Sequence, residues 1–269
     1  MSATIKHIDI KGVQIPVIFE EQKALPILNL QLVFQNSGYI QDKNKSGLVS
    51  LSSKLLNEGT NELGATKFAE KLEENAISLA ASNGFETFVI ELSNLKEQSK
   101  KGIELLTALL KSPNYTQDTL NKLKTMQTGS LKRKENDFDY VANNQLKSVL
   151  FKGTTLENSA AGTIESISKI ELKDIENFIS QTVCLENLII VAGGDFELKE
   201  FEKLVKPFVE KLSPILFIVL FKFAKSFWRV EALPDISLNT FWYSISLKVP
   251  VTDLNATPAF SASCFILSK

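Results

Sequence analysis

Histidine is nearly absent from this chain: its 269 residues include one, His7. That count leaves no set of imidazoles from which to build a metal centre. Cysteine is almost as scarce, with Cys184 and Cys264 alone. They are far apart and show no CxxC spacing, so a zinc–thiolate cluster is excluded and two buried free thiols are expected rather than a bridge. No basic run is interleaved with aromatics, and the formal net charge is −1. Composition therefore gives no argument for nucleic acid or an anionic membrane as partner. The longest apolar run, Ile215 to Phe221, is ended by Lys222, far short of the ~20 residues of a membrane span. The opening MSATIKHIDIKG alternates like a strand and has no apolar export core. The expectation is a cytoplasmic, reducing compartment.

What is present is ordinary globular material, 44% hydrophobic and 23% charged. It suffices for one large domain or two modest ones. The chain is organised around GLVSLSSKLLNEGT, Gly47 to Thr60. Leu48, Val49, Leu51, Leu55 and Leu56 define an apolar helical face. Ser50, Ser53, Lys54 and Asn57 fall on the other face, which the spacing predicts to be polar and solvated. Ser46 is placed to cap the start and Gly59 to close the end.

Around this helix the periodicities predict an α+β fold, an antiparallel β-sheet covered by helices. Residues 5–19 read as a hairpin turning at Lys11-Gly12, with Pro16 marking its second strand as an edge. Residues 27–35 alternate strictly and predict a half-buried strand, ended by Asn36-Ser37-Gly38. A helix is expected over 64–74 with Ala65, Phe68, Ala69 and Leu72 inward. Residues 76–82 and 85–93 read as a hairpin around Asn83-Gly84. Gly102–Lys111 is helical and stopped by Pro113. Two helical patterns occupy 116–151, one with Leu120, Leu123 and Leu131, the other with Val141, Leu146, Val149 and Leu150. A helix carrying Leu172, Ile175, Phe178 and Ile179, a buried strand Leu188–Ala192 and a helix ending near Leu212 complete this part.

Composition changes near Ser213. Both tryptophans lie beyond it, helical periodicity is lost, and charged residues fall from about a quarter of the chain to about a seventh. The expected organisation is a domain over 1–212 and a tail over 213–269 that is divergent, truncated or frame-shifted.

The order of these segments carries a resemblance. An alternating strand, Asn36-Ser37-Gly38, a polar loop and GLVSLSSKLLNEGT are followed by the Ala65 helix and ISLAASNGFETFVIEL. GTIESISKIELKDIENF and NLIIVAGGDF come next. This resembles the insulinase/pitrilysin family of zinc metallopeptidases, in its mitochondrial-processing-peptidase-like branch. The resemblance implies a LuxS/processing-peptidase-like N-terminal domain. Active members carry His-x-x-Glu-His in this helix, with two zinc-binding histidines, a Glu that activates water, and a further Glu ligand about 75 residues downstream. Laid over this chain, those positions hold Ser50, Ser53 and Lys54, and no Asp or Glu lies between Asp118 and Glu135. The family cofactor is zinc, and its ligands are missing. Hydroxyls and an ammonium do not make the three-ligand set zinc needs, and a serine cannot replace Glu as base near neutral pH.

The resemblance further implies a non-catalytic subunit that pairs with a zinc-bearing peptidase homologue and helps hold a peptide. The peptide would add as a strand at the edge Leu79-Ala80-Ala81-Ser82. The alternatives are a working zinc-dependent metalloendopeptidase and a non-functional fragment of a two-domain gene. A Ser50–Lys54 nucleophilic dyad is geometrically conceivable and would need a neutral Lys54. Gly193-Gly194-Asp195 lacks phosphate-loop spacing and reads as a strand-to-helix turn.

Overall fold

The computed structural model describes residues 3–42, 45–157 and 159–212. The predicted tail, 213–269, with Cys264, lies outside the described residues. Six strands form one sheet: β1 (Thr4–Ile10), β2 (Val13–Glu21), β3 (Ile27–Phe34), β4 (Ser78–Asn83), β5 (Phe88–Leu95) and β6 (Leu188–Gly194), in the order β1-β2-β6-β3-β5-β4. All pairs are antiparallel except β2 with β6. The helices are α1 (Leu48–Leu56), α2 (Gly64–Glu74), α3 (Ser99–Lys111), α4 (Gln117–Lys134), α5 (Phe138–Leu150), α6 (Ile164–Lys169), α7 (Leu172–Thr182) and α8 (Leu198–Val209). The predicted class, a sheet covered by helices, is the architecture found.

Alternation decides which face is covered. In β3, Leu28, Leu30, Leu32 and Phe34 are buried while Asn29 and Gln31 are exposed. β5 repeats this with Phe88, Ile90 and Leu92. These rows pack with the buried leucines of α1 and α3 in one core. Each fully buried Leu or Ile contributes about 1.5–3 kcal/mol, so the α1 face alone is a substantial part of the domain's stability.

The β1–β2 hairpin turns at Lys11-Gly12, both with positive φ, 54° and 81°. That is the backbone a two-residue hairpin turn requires. Pro16 corrects the sequence reading. Its strand is interior, between β1 and β6, but the β6 ladder begins only at Val17. Pro16 pairs with His7 on β1 alone, so the missing N–H falls where β2 has one neighbour. The second hairpin also differs in detail. Asn83 pairs with Phe88, leaving Gly84–Thr87 as a four-residue connection closed by Gly84 N–H donating to Thr87 O at 2.8 Å. In α2, Phe68 is buried and Ala69, expected inward, is exposed.

Helix α5 forms where its periodicity predicts, yet none of its residues is buried. Phe138 is 88% exposed, and Val141, Leu146, Val149 and Leu150 are also open. Cys184 is a buried free thiol, and burial raises its pKa.

Candidate functional site

Helix α1 lies beside β4, the edge strand of the sheet, and packs also on α4 and α7. Its apolar face is as predicted, with Val49, Leu51, Leu55 and Leu56 at 0% exposure. Its start is not capped by Ser46, whose hydroxyl donates to Ser159 O at 3.0 Å. Gly47 occupies the cap position with φ 90° and supplies no side chain. The buried Asp42 carboxylate does the work from the preceding loop. It accepts from Gly47 N–H at 2.8 Å and Val49 N–H at 2.9 Å.

Burial pushes the Asp42 carboxyl up to about 6, against the pull of those two donors. The unfolded chain therefore gives up this proton near pH 3.8, and the folded chain near pH 6. Between those values the folded state holds the extra proton, so this group's contribution to stability falls as pH rises. Melting curves from pH 4 to 7 should show that decline in the wild type and a flatter profile for Asp42→Asn. The amide accepts from only one of the two N–H groups but carries no charge to desolvate, so the cost of Asp42→Asn should be smaller at pH 7 than at pH 4.

The opposite face of α1 is not uniformly solvated. Ser50 is half-buried, but Ser53 is buried, donating to Asn83 Oδ1 at 2.9 Å on β4 and to Ser50 O at 3.0 Å. Asn57 is also tied to β4. Its Nδ2 donates to Ala81 O at 2.9 Å, and its Oδ1 accepts from Ala81 N–H at 2.6 Å. Ala81 therefore points its backbone groups away from β5. By the alternation of an antiparallel pair, Leu79 and Asn83 do the same, while Ala80 and Ser82 face the ladder. Leu79, Ala80, Ala81 and Ser82 thus lie on a true sheet edge, as expected. One of its outward-facing residues is already satisfied by the amide of Asn57.

Lys54 is exposed at its stem and reaches into a cleft between α1 and α4. Its Nζ donates to Gln127 Oε1. Gln127 is 4% exposed and is fixed through Nε2, which donates to Ala161 O at 2.8 Å. Partial burial and the neighbouring Lys134 lower the Lys54 pKa. Gln127 lies 73 positions after Lys54, close to the separation of about 75 that the resemblance implies for a downstream metal ligand. Sequence reasoning missed it by searching that segment for carboxylates. The signal available was the amide isostere at that spacing.

Ser50, Ser53, Lys54 and Gln127 offer hydroxyls, an ammonium and an amide, with the ammonium where the resemblance implies a ligand. This set does not fit zinc. No group of three His, Cys, Asp or Glu residues suited to a metal ion occurs among the described residues. His7 is exposed on β1, at the opposite edge of the sheet from β4. The Ser50–Lys54 dyad is not assembled either, because Lys54 is engaged as a donor to Gln127. Gly193-Gly194 closes β6, and Asp195 pairs with Lys96 at 3.2 Å, a structural contact.

The sheet, the helix along its edge and the groups that face the cleft define a class: an α+β domain whose candidate cleft presents hydroxyls, an ammonium and an amide. No protein-family model matches the chain. It is 43% identical over 199 residues to "Non-peptidase homolog YmxG" of Helicobacter pylori, covering 74% of this chain and 46% of that protein. It is 20% identical to a probable mitochondrial-processing peptidase subunit beta of Arabidopsis thaliana, over 62% of this chain and 32% of that one. Among solved structures, the peptidase M16 inactive domain from Pseudomonas fluorescens superposes with a TM-score of 0.73 at 20% identity. The match covers 78% of this chain and 52% of that one. The chain thus has the fold of the M16 domain and is similar to a degenerate N-terminal domain of the insulinase/pitrilysin type. It spans half or less of the length of the curated relatives it matches.

Proposed function

We propose that the protein is a non-catalytic M16-type subunit that holds no zinc, pairs with a zinc-bearing homologue and helps retain a peptide. The observation that carries this is the Lys54–Gln127 bond, a cation and an amide joined where a peptidase needs two metal ligands. The Helicobacter pylori relative named as a non-peptidase homologue supports it. So does the inactive domain among the structural neighbours. Other relatives are named as subunits of larger assemblies, including cytochrome b-c1 complex subunit 1 of Bos taurus. The apolar residues left open on α5 are the kind of surface that a protein partner covers. The buried free thiol of Cys184 suits a reducing, cytoplasmic setting.

The peptide would add to the β4 edge over Leu79–Ser82, which requires the Asn57 amide to swing aside from Ala81. Affinity purification of the full chain from its host tests the pairing. The expected result is co-purification of an M16 homologue bearing His-x-x-Glu-His, lost on Phe138→Asp and Leu146→Asp. Recovery of the chain alone, with peptide cleavage and about one bound zinc per chain that chelation removes, would sink this reading.

A further inference from the structure

The cleft between α1 and α4 has a volume of about 320 Å³ and is lined by Ser50, Lys54, Asn83, Gln127, Ser130 and Lys134, with a leucine and two alanines completing it. Two features set it apart. Its lining carries two ammonium groups and no carboxylate. Neither lysine takes part in any ion pair found among the described residues. Lys54 is held by the neutral carbonyl of Gln127, and Lys134 sits 4.8 Å above the Tyr140 ring. Two like charges facing one cleft, that of Lys54 partly desolvated, repel each other without an anion between them.

We propose that this cleft is a carboxylate-binding site, in which Lys54 and Lys134 supply the charge and the Ser50 and Ser130 hydroxyls donate to the oxygens. The place that holds a cation in an active peptidase would here take an anion. The cleft also fixes the source of the carboxylate. Asn83, the last residue of β4, lines it, so a strand laid along Leu79–Ser82 ends at its mouth. The ligand is the carboxylate of a peptide. The peptide part of this assignment rests on the proposed peptide-holding function; the carboxylate part rests on the cleft alone. The lowered proton affinity of Lys54 accords with a cation lacking its counter-charge. An anion bound there would raise it again.

Calorimetric titration of the full chain tests both parts. The probes are acetyl-tetra-alanine with a free C-terminus, the same peptide as its C-terminal amide, acetyl-Ala-Ala-Asp-Ala amide, and sodium acetate alone. The free acid is expected to bind at least about tenfold tighter than the amide, the scale of one charge-assisted hydrogen bond. Lys54→Met should remove that preference and Lys134→Met should reduce it. Both side chains are solvent-accessible, and circular dichroism would verify that the variants fold. Preference for the Asp-containing amide would assign the carboxylate to a side chain. Acetate binding that depends on Lys54, with no binding of any peptide, would leave the carboxylate site standing and overturn the peptide-holding function. Equal binding of acid and amide, or acetate binding untouched by Lys54→Met, would overturn the carboxylate site.

Discussion

Substituting Ser50→His, Lys54→His and Gln127→Glu together should create a zinc site in this chain. The first two positions are one helical turn apart on α1, and the third faces them from α4, where its side chain already meets that of Lys54. Three protein ligands with an open fourth position are what a catalytic zinc site needs. The α1 core face, with Leu51 and Leu55 at 0% exposure, is untouched by the changes, so the helix should hold its place. Equilibrium dialysis followed by metal analysis should find about one zinc per chain. Leaving Gln127 unchanged should weaken binding by at least about 10-fold, since losing a first ligand costs no less than disturbing an outer partner. Ser53→Glu would be needed as well before any peptide is cut, because the base is a separate requirement. A triple variant that folds but takes up no zinc would mean that these three positions are not a ligand constellation, and the family reading of the cleft would fall with it.

Gly162→Ala should destabilise the domain by about 2–5 kcal/mol. The backbone of this segment crosses the start of α1, and each glycine there sits where the other's side chain would go. Gly162 has φ 78°, and a Cβ on it would stand 2.5 Å from Ser46 O. Gly47 has φ 90°, and its Cβ would meet Ile167 Cδ1 at 2.7 Å and Gly162 Cα at 3.1 Å. The left-handed backbone costs an alanine about 1–2 kcal/mol, and the overpacking adds about 1–3 kcal/mol. Gly12→Ala is the control: its φ is 81°, but nothing lies within 4 Å of the added atom. It should show only the smaller conformational cost. Urea unfolding separates the two, with a lower midpoint and an unchanged slope expected for Gly162→Ala. Equal losses at the two positions would show that the crossing is not as tight as these distances say.

How far the sequence discloses this molecule depends on how local each signal is. The Lys11-Gly12 turn, the β3 alternation and the leucine face of α1 were legible because neighbours in sequence decide them. Asp42 was not, since it caps α1 from a separate loop and no residue at the helix start announces it. Ser53 looked solvated from its place on a polar face. Its burial comes from Asn83, 30 positions away. Pro16 obeys the edge rule only over the few residues where β2 lacks β6, a register fact that one strand's sequence does not contain. The residue types at Ser50, Ser53 and Lys54 are plain in the sequence, but their assignment to motif positions comes from the resemblance alone. Gln127 was overlooked because an amide was not being sought at a carboxylate's position.

The Asn57–Ala81 pairing has a kinetic consequence. An arriving strand gains at Ala81 the two hydrogen bonds that the asparagine gives up, so the exchange is close to neutral in energy there. Capture at this edge would be quick to reverse, with a tethered competitor returning as soon as the guest loosens. Under the proposed peptide-holding function, such an edge would hand its cargo on instead of storing it.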